Sequence, residues 1–501
     1  MSEPTDSGAG FATSRRDERA PAAERNPARG MLLLTITSGL FIVSGYVITV
    51  WLAHELGPTN FGRYSVVIAI TTLVNILVAR GVPVAATRAI AADPEEADHT
   101  MVVAWRVTLP LAVAATVVAA AVAAPLAMVL GDNGLRVPLF IGSAAALTYG
   151  LQALLLAWFT GMHRYGRQAF AQSWYAVSRL VTIIVGGALA GLTGAVVGFV
   201  IAPAVGALAT LRRHGGRGAD SPPPSAPPPS PAAQPATGHT LLRASAPLVG
   251  VAALVAALLS VDLLAFKRVG TSTDAGKYAA AATIAHVPFF LLRSAPLVVM
   301  PAVAAALAAS RAPEHGLAGP VRAEIRHRVG DAVVLLALPT ALIVALGDRA
   351  LEVIFGESYT VDGLLVAPLA LATAAITLYS VLVAVETALR TLRMALLTGS
   401  IGLVLVVAAA AIGGQGSNAS RAAWGVAAAA TVTFLAHAAF VWARAGSFVP
   451  LRAVAAVALA VAVGATTLAA PRGAAWIATS ALAGCVAYGA VALRTGLVRL
   501  R

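Results

Sequence analysis

The sequence predicts an all-α polytopic membrane protein with about fourteen transmembrane helices, six before a proline-rich stretch and eight after it, with a duplicated unit opening each part. Three observations predict it. The 501 residues are 58% hydrophobic and only 11% charged, against about 25% charged for a soluble domain. The apolar residues run in stretches of about 20 or more, the length of a helix across hydrocarbon, without the dyad alternation of a membrane barrel strand. A polar turn near the start of the chain is written a second time near its middle.

Residues 1–30 are polar. Arg15, Arg16, Arg19, Arg25 and Arg29 mix there with acids, Pro and Gly, the composition of a disordered tail. No cleavage pattern follows "SRRDER", so neither a cleavable signal peptide nor a twin-arginine signal is expected. Spans are expected near 31–53, 64–88, 101–130, 136–159, 169–190 and 193–211, forming an N-lobe over 31–211. The stretch 212–240 is proline-rich, and proline fixes φ and removes amide donors, so an extended linker is expected. Spans near 241–266, 277–305, 329–347, 363–387, 393–412 and 421–443 form a C-lobe over 241–443. Two more, near 451–470 and 474–493, lie in 444–501 with a short tail.

Cytoplasmic loops carry the excess of Lys and Arg. With the N-terminus inside, 24 of the 35 cations fall inside, 8 outside, and Arg80, Arg179 and Arg293 within spans. Both termini and the linker are therefore expected in the cytoplasm, and the net charge of +13 needs no nucleic acid to explain it. The lone cysteine, Cys485, excludes an internal disulfide and a cysteine metal cluster.

The repeated turn is "LAHELGPTNFGRYSVVIAI" from Leu52 and "FKRVGTSTDAGKYAAAATIAH" from Phe266. Gly62-Arg63-Tyr64 becomes Gly276-Lys277-Tyr278. Further on, Arg80-x-x-Pro83 becomes Arg293-x-x-Pro296, displaced by almost the same interval. Both units run apolar helix, polar turn, Gly-cation-Tyr, apolar helix, Arg-x-x-Pro, in the same topology. Two such units are expected to be related by an axis along the membrane normal, as in two-lobed transporters.

The stretch "LGPTNFGRYSVVIAITTLVNILVARGVPVAATRAIA" resembles the first hairpin of the polysaccharide and oligosaccharide-lipid flippases, of the multidrug/oligosaccharidyl-lipid/polysaccharide exporter superfamily. A Leu-Gly-Pro-x-x-Phe-Gly-x-Tyr pattern follows the first span in that family. "VDLLAFKRVGTSTDAGKYAAAATIAHVPFFLLRSAPLVVMP" is similar to the start of its second lobe. These two stretches carry the resemblance, and the remainder of the chain agrees in span count and lobe division. The resemblance implies two six-helix lobes around a central cavity, with accessory C-terminal helices in some members. It implies alternating-access transport of an undecaprenyl-pyrophosphate type lipid-linked oligosaccharide or polysaccharide repeat unit from the inner to the outer leaflet of a bacterial cell membrane. Partners are then the lipid-linked sugar, membrane lipids, and a polysaccharide polymerase or other envelope-assembly protein. A lipid II flippase for peptidoglycan, a multidrug antiporter of the same superfamily and a polytopic glycosyltransferase are the alternatives.

An ionisable residue within a span marks function by default. Arg80 and Arg293 lead the candidates for binding substrate, because the guanidinium fork suits phosphate oxygens; the alternative is that both snorkel to headgroups. Arg179 is expected to line a cavity or to pair with an acid on another helix. Asp262 and Glu386 are candidates for coupling transport to an ion. Their alternative roles are an outer-interface salt bridge for Asp262 and a local pair with Arg390 for Glu386. Asn75, Gln152, Gln168 and Gln172 are able to bond sugar hydroxyls or to hold helices together. Pro83, Pro288, Pro296 and Pro301 are expected to kink or end helices.

No P-loop, His-Glu-x-x-His or paired-carboxylate loop is present, so no enzyme chemistry, cofactor or metal is expected. His54, His286 and His437 are read as satisfied polar residues. Asp348, Glu352, Glu357 and Asp362 are read as solvated loop charge.

Overall fold

A computed structural model of the chain describes residues 27–214, 237–310, 317, 319–446, 450–468, 479, 486 and 488. Most of the expected tail, the body of the proline linker and most of the fourteenth span lie outside the described residues. The described elements are all helical.

Helix α1 (27–56) and helix α2 (58–79) form one helical stretch, Pro27–Ala79, broken at Gly57, whose φ is 66°. The left-handed region that this angle occupies is open chiefly to glycine. Phe41 and Arg80 line the same cavity, although a straight helix would hold them about 58 Å apart. The chain therefore turns back at Gly57. After a break at Arg80-Gly81, the helix resumes as Val82–Ala92 with a proline in its first turn, where proline's missing N–H is not needed.

Helix α3 (Ala97–Val129) leads to α4, built from Arg136–Ser143 and Ala145–Gly161. Helices α5 (165–189) and α6 (192–214) reverse at Ala190-Gly191. The Ser178 hydroxyl donates to the Ala202 carbonyl at 2.9 Å and the Thr182 hydroxyl to the Gly198 carbonyl at 2.8 Å. The opposed glycines Gly186 and Gly194 leave no room for a Cβ between these helices. Without an apolar solvent contrast inside lipid, such small-residue contact is what holds helices together.

The second lobe opens with α7, in two pieces, Gly238–Leu258 and Val261–Val269. Helix α8 has three: Ser272–Ala285, Val287–Leu292 and Ala295–Ala309. The expected continuous span over 277–305 is thus broken twice. The pieces after the breaks carry Pro288 and Pro296 in their first turns, whereas Pro301 is carried within the last piece. Arg293 lies at the second break, as Arg80 does in α2, so the repeated Arg-x-x-Pro is a helix interruption rather than a mid-helix cation. Helices α9 (Gly319–Phe355), α10 (Val366–Ala388), α11 (Leu392–Gly413) and α12 (Ala419–Ala445) complete the lobe. Helix α13 (Leu451–Leu468) packs on α9 through Ala453, Ala456 and Ala460.

Large apolar side chains face outward along the helices, Leu189 at 81% and Val404 at 67% exposure among them. In water this would be a defect, but in lipid it is the expected outer surface.

The duplication is visible in contacts between equivalent residues. The hydroxyls of Thr59 and Thr273, 214 positions apart, meet at 2.7 Å. Gly62 and Gly276, separated by the same interval, approach so closely that a Cβ on either would collide with the other repeat's backbone. A residue meets its own repeat partner only on the axis relating the two. Around this point lies the largest core cluster, which takes Phe61 and Tyr64 from one lobe and Phe266, Tyr278, Phe355 and Tyr359 from the other. The Tyr359 hydroxyl donates to the Ala53 carbonyl at 2.6 Å.

Cysteines placed at Thr59 and Thr273 in a Cys485→Ser background should therefore crosslink under mild oxidation. The adduct, read as a shift in electrophoretic mobility on reduction, should form within one chain. Failure to crosslink in the folded protein would mean that the lobes do not meet on this axis.

Candidate functional site

The lobes separate away from the Gly57 end and leave a cavity of about 850 Å³. Its walls come mainly from the first lobe: Phe41, Tyr46 and Thr49 of α1, Asn75 and Arg80 at the end of α2, Tyr149 and Gln152 of α4, and Gln168, Gln172 and Arg179 of α5. The second lobe contributes Thr283, His286, Phe290 and Arg293 of α8.

Three sequence candidates, Arg80, Arg179 and Arg293, meet here, as do the four amides Asn75, Gln152, Gln168 and Gln172. Arg80 and Arg293 are exposed, as is Arg88, a further lining cation that the sequence does not single out. These three mark the open mouth. Arg80 and Arg293 are close enough for their charges to interact, and neither has an ion-pair partner among the described residues. Arg179 sits higher. Its guanidinium lies 4.9 Å from the centre of the Phe41 ring, a cation–π placement, and its buried Nε has no hydrogen-bond partner among the described residues. Beside it the Tyr175 hydroxyl donates to that of Tyr149 at 2.6 Å. The described lining residues include four arginines and no carboxylate, so the cavity is a cationic site without an internal counter-ion.

Two expected ion pairs are not found. Asp262 is buried and accepts a hydrogen bond from the Tyr278 hydroxyl at 2.9 Å; no cation pairs with it among the described residues, so the interface salt bridge is corrected to a hydrogen bond within the second lobe. Glu386 does not pair with Arg390, which has left the helix with φ 58°. Its carboxylate accepts instead from the Ala395 amide at 3.0 Å and lies 3.9 Å from His437 Nε2. The i,i+4 expectation fails because α10 ends at Ala388. Neither acid lines the cavity.

Asp348 is not solvated loop charge either. Its carboxylate accepts from the amides of Leu365 and Val366 at 2.8 and 2.9 Å, satisfying donors that the start of a helix leaves open. His54 is satisfied, with Nδ1 2.8 Å from the Val50 carbonyl. No group of three or more potential metal ligands is found among the described residues.

At the closed end a polar latch ties the lobes. Arg63 holds Asp132 through two hydrogen bonds, Nε at 2.8 Å and Nη2 at 3.1 Å. Asp132 also accepts from the Ser272 hydroxyl of the second lobe. Lys267 Nζ donates across the interface to the Leu130 carbonyl at 3.0 Å. Arg63 and Asp132 lie far apart along the chain, and no sequence period joins them.

Comparisons with known proteins fit this architecture. A family model described as polysaccharide biosynthesis protein matches residues 28–306. No curated protein matches the sequence. Among solved structures, the lipid II flippase MurJ in an inward closed conformation aligns with a TM-score of 0.69 at 13% identity, covering 93% of this chain and 100% of that one. An inward-facing multidrug resistance MATE family transporter of the MOP superfamily aligns at 0.65 and 15% identity, covering 85% and 98%. A MOP superfamily transporter from Pyrococcus furiosus, described by the reverse polarity of its binding pocket, aligns at 0.58 and 14%, covering 85% and 98%. At these identities the likeness is one of fold: the chain has the two-lobed fold of MOP transporters.

Burial raises the pKa of Asp132, but hydrogen bonds from Arg63, Ser272 and the Gly134 amide outweigh it and hold the carboxyl below its ordinary 3.8. The latch is therefore intact above that value and is lost as pH falls through the lowered one. Asp132→Asn should weaken it at neutral pH. A water-soluble thiol reagent should label Thr59→Cys several-fold faster in the Asn variant, and an unchanged rate would refute the latch.

Proposed function

We propose a function from one premise: the chain belongs to the polysaccharide biosynthesis protein family. On this reading it is a flippase, not an enzyme. It carries a lipid-linked oligosaccharide or polysaccharide repeat unit from the inner to the outer leaflet of a bacterial cell membrane, with both termini in the cytoplasm. The observation that carries the proposal is the cavity whose described lining residues include four arginines and no carboxylate.

A diphosphate-linked glycan cannot enter hydrocarbon without losing the water that solvates it. A wet cationic cavity replaces that water with guanidinium donors, while the lipid tail stays in the bilayer. Arg80 and Arg293, one from each lobe, grip the diphosphate at the mouth as a forked pair on this reading. Arg88 adds positive potential there, and Arg179 offers a second cationic station deeper in. Because the gripping residues belong to different lobes, a rocking of the lobes moves both sides of the grip relative to each other. The latch between Asp132 and Ser272 closes the outer side in this state. Once released, the headgroup is handed to envelope-assembly proteins such as a polysaccharide polymerase. The same charge disfavours export of small organic cations, which four arginines would repel.

Reconstituted protein should flip a fluorescent undecaprenyl-diphosphate sugar in proteoliposomes. Each arginine-to-phosphate hydrogen bond is a charge-assisted one, worth about 1.5–3 kcal/mol, so Arg80→Ala or Arg293→Ala should lower flipping at sub-saturating substrate by about ten- to a hundredfold. A folded double variant that flips as fast as wild type would remove the grip. Wild-type protein that flips none of several lipid-linked sugars would remove the proposed function.

A further inference from the structure

Asn75 and Gln152 stand in the cavity wall with their hydrogen-bonding capacity unused. Gln152, on α4, is 3% exposed, and neither its Oε1 nor its Nε2 has a partner. Asn75, on α2, is 6% exposed, and its Oδ1 has none. Both line the cavity. A buried polar group left unpaired destabilises the fold, so two on one wall are unfavourable unless something that visits the cavity satisfies them. Helix adhesion does not account for them, since it requires a partner on a neighbouring helix and these atoms have none among the described residues.

Their position and their chemistry narrow what would do so. Asn75 precedes Arg80 by five residues, about 7.5 Å deeper along the helix. A phosphate gripped at Arg80 would hold the group it carries at that depth. The unpaired atoms are two carbonyl acceptors and one amide donor, which together match hydroxyls and an N-acyl group. Neither residue offers a charge, so a carboxylate or ammonium on the same ring would find hydrogen bonds but no counter-ion in this pair. Amides also hold their ligand by direction: a hydrogen bond weakens steeply below a donor angle of about 120°, whereas the arginines at the mouth attract any phosphate.

We propose that Asn75 and Gln152 form a subsite for the first sugar of the headgroup, an uncharged or N-acylated ring joined directly to the lipid diphosphate. The arginines supply affinity for the diphosphate, and the two amides tell a glycosylated lipid from a bare one. This inference rests on the flippase reading.

The test measures binding of two probes to the detergent-solubilised full chain: undecaprenyl diphosphate, and the same lipid carrying one N-acetylhexosamine. Gln152→Met and Asn75→Leu are made separately, so a folding failure in one leaves the other. Each should weaken binding of the glycosylated lipid by about tenfold, the equivalent of one or two neutral hydrogen bonds, and leave the bare lipid unchanged. Equal loss on both lipids, or loss on neither, would overturn the subsite and leave the flippase reading standing. Wild-type protein that binds neither lipid would overturn the flippase reading, and the subsite with it.

Discussion

The close approach of Gly62 to Gly276 is the constraint on which the rest of the structure depends. With hydrogen as its only side chain, each glycine lets one repeat's backbone touch the other's on the axis. The contact brings Thr59 onto Thr273, lets Tyr359 reach the Ala53 carbonyl, and places Ser272 against Asp132. One end of the molecule is thereby packed as a core, with Phe61, Phe266 and Phe355 buried in it. Because the lobes are pinned there, they diverge at the other end, and the cavity is the space that divergence leaves. A larger residue at either glycine would widen the closed end before it touched any cavity residue.

The cavity follows from where each helix is interrupted. At Arg80-Gly81 and Arg293-Ser294 the helix stops before a piece begun with proline in its first turn. The guanidiniums project from those breaks, at the mouth, where water reaches them. That is why two cations within apolar sequence are tolerated: they stand at its wet edge. Arg179 differs, since it is half-buried beneath Phe41 and beside a pair of tyrosines, without a carboxylate among the described cavity residues to neutralise it. An unneutralised cation at such depth is costly, and an anionic ligand lowers that cost.

Much of this was legible in the sequence. Helical spans, a two-lobe division and the internal repeat follow from apolar run lengths and from Gly-cation-Tyr written twice, because span length and turn chemistry are local properties. Arg80, Arg179 and Arg293, which line the cavity, stand out in the sequence because a charge in an apolar run is conspicuous. The helix breaks were half legible: Pro83 and Pro296 mark them, but a span drawn by hydropathy runs through. The ion pairs were not legible. Proximity along the chain pairs Glu386 with Arg390, and depth alone gives Asp262 an interface salt bridge, whereas their actual partners, Tyr278 for Asp262 and the Ala395 amide with His437 for Glu386, are set by how helices pack. The Arg63–Asp132 latch joins positions remote in the chain and has no sequence signature at all.

In the proposed transport cycle the glycine contact parts as the lobes rock, so that the closed end opens while the mouth closes. The most direct measurement is the distance between spin labels on Glu55→Cys and Arg268→Cys, two exposed positions at the closed end, in a Cys485→Ser background in lipid. One short distance is expected without substrate, and a second, longer population when an undecaprenyl-diphosphate oligosaccharide is added. A single distance that stays unchanged at saturating substrate, in protein that still flips the lipid, would contradict this cycle.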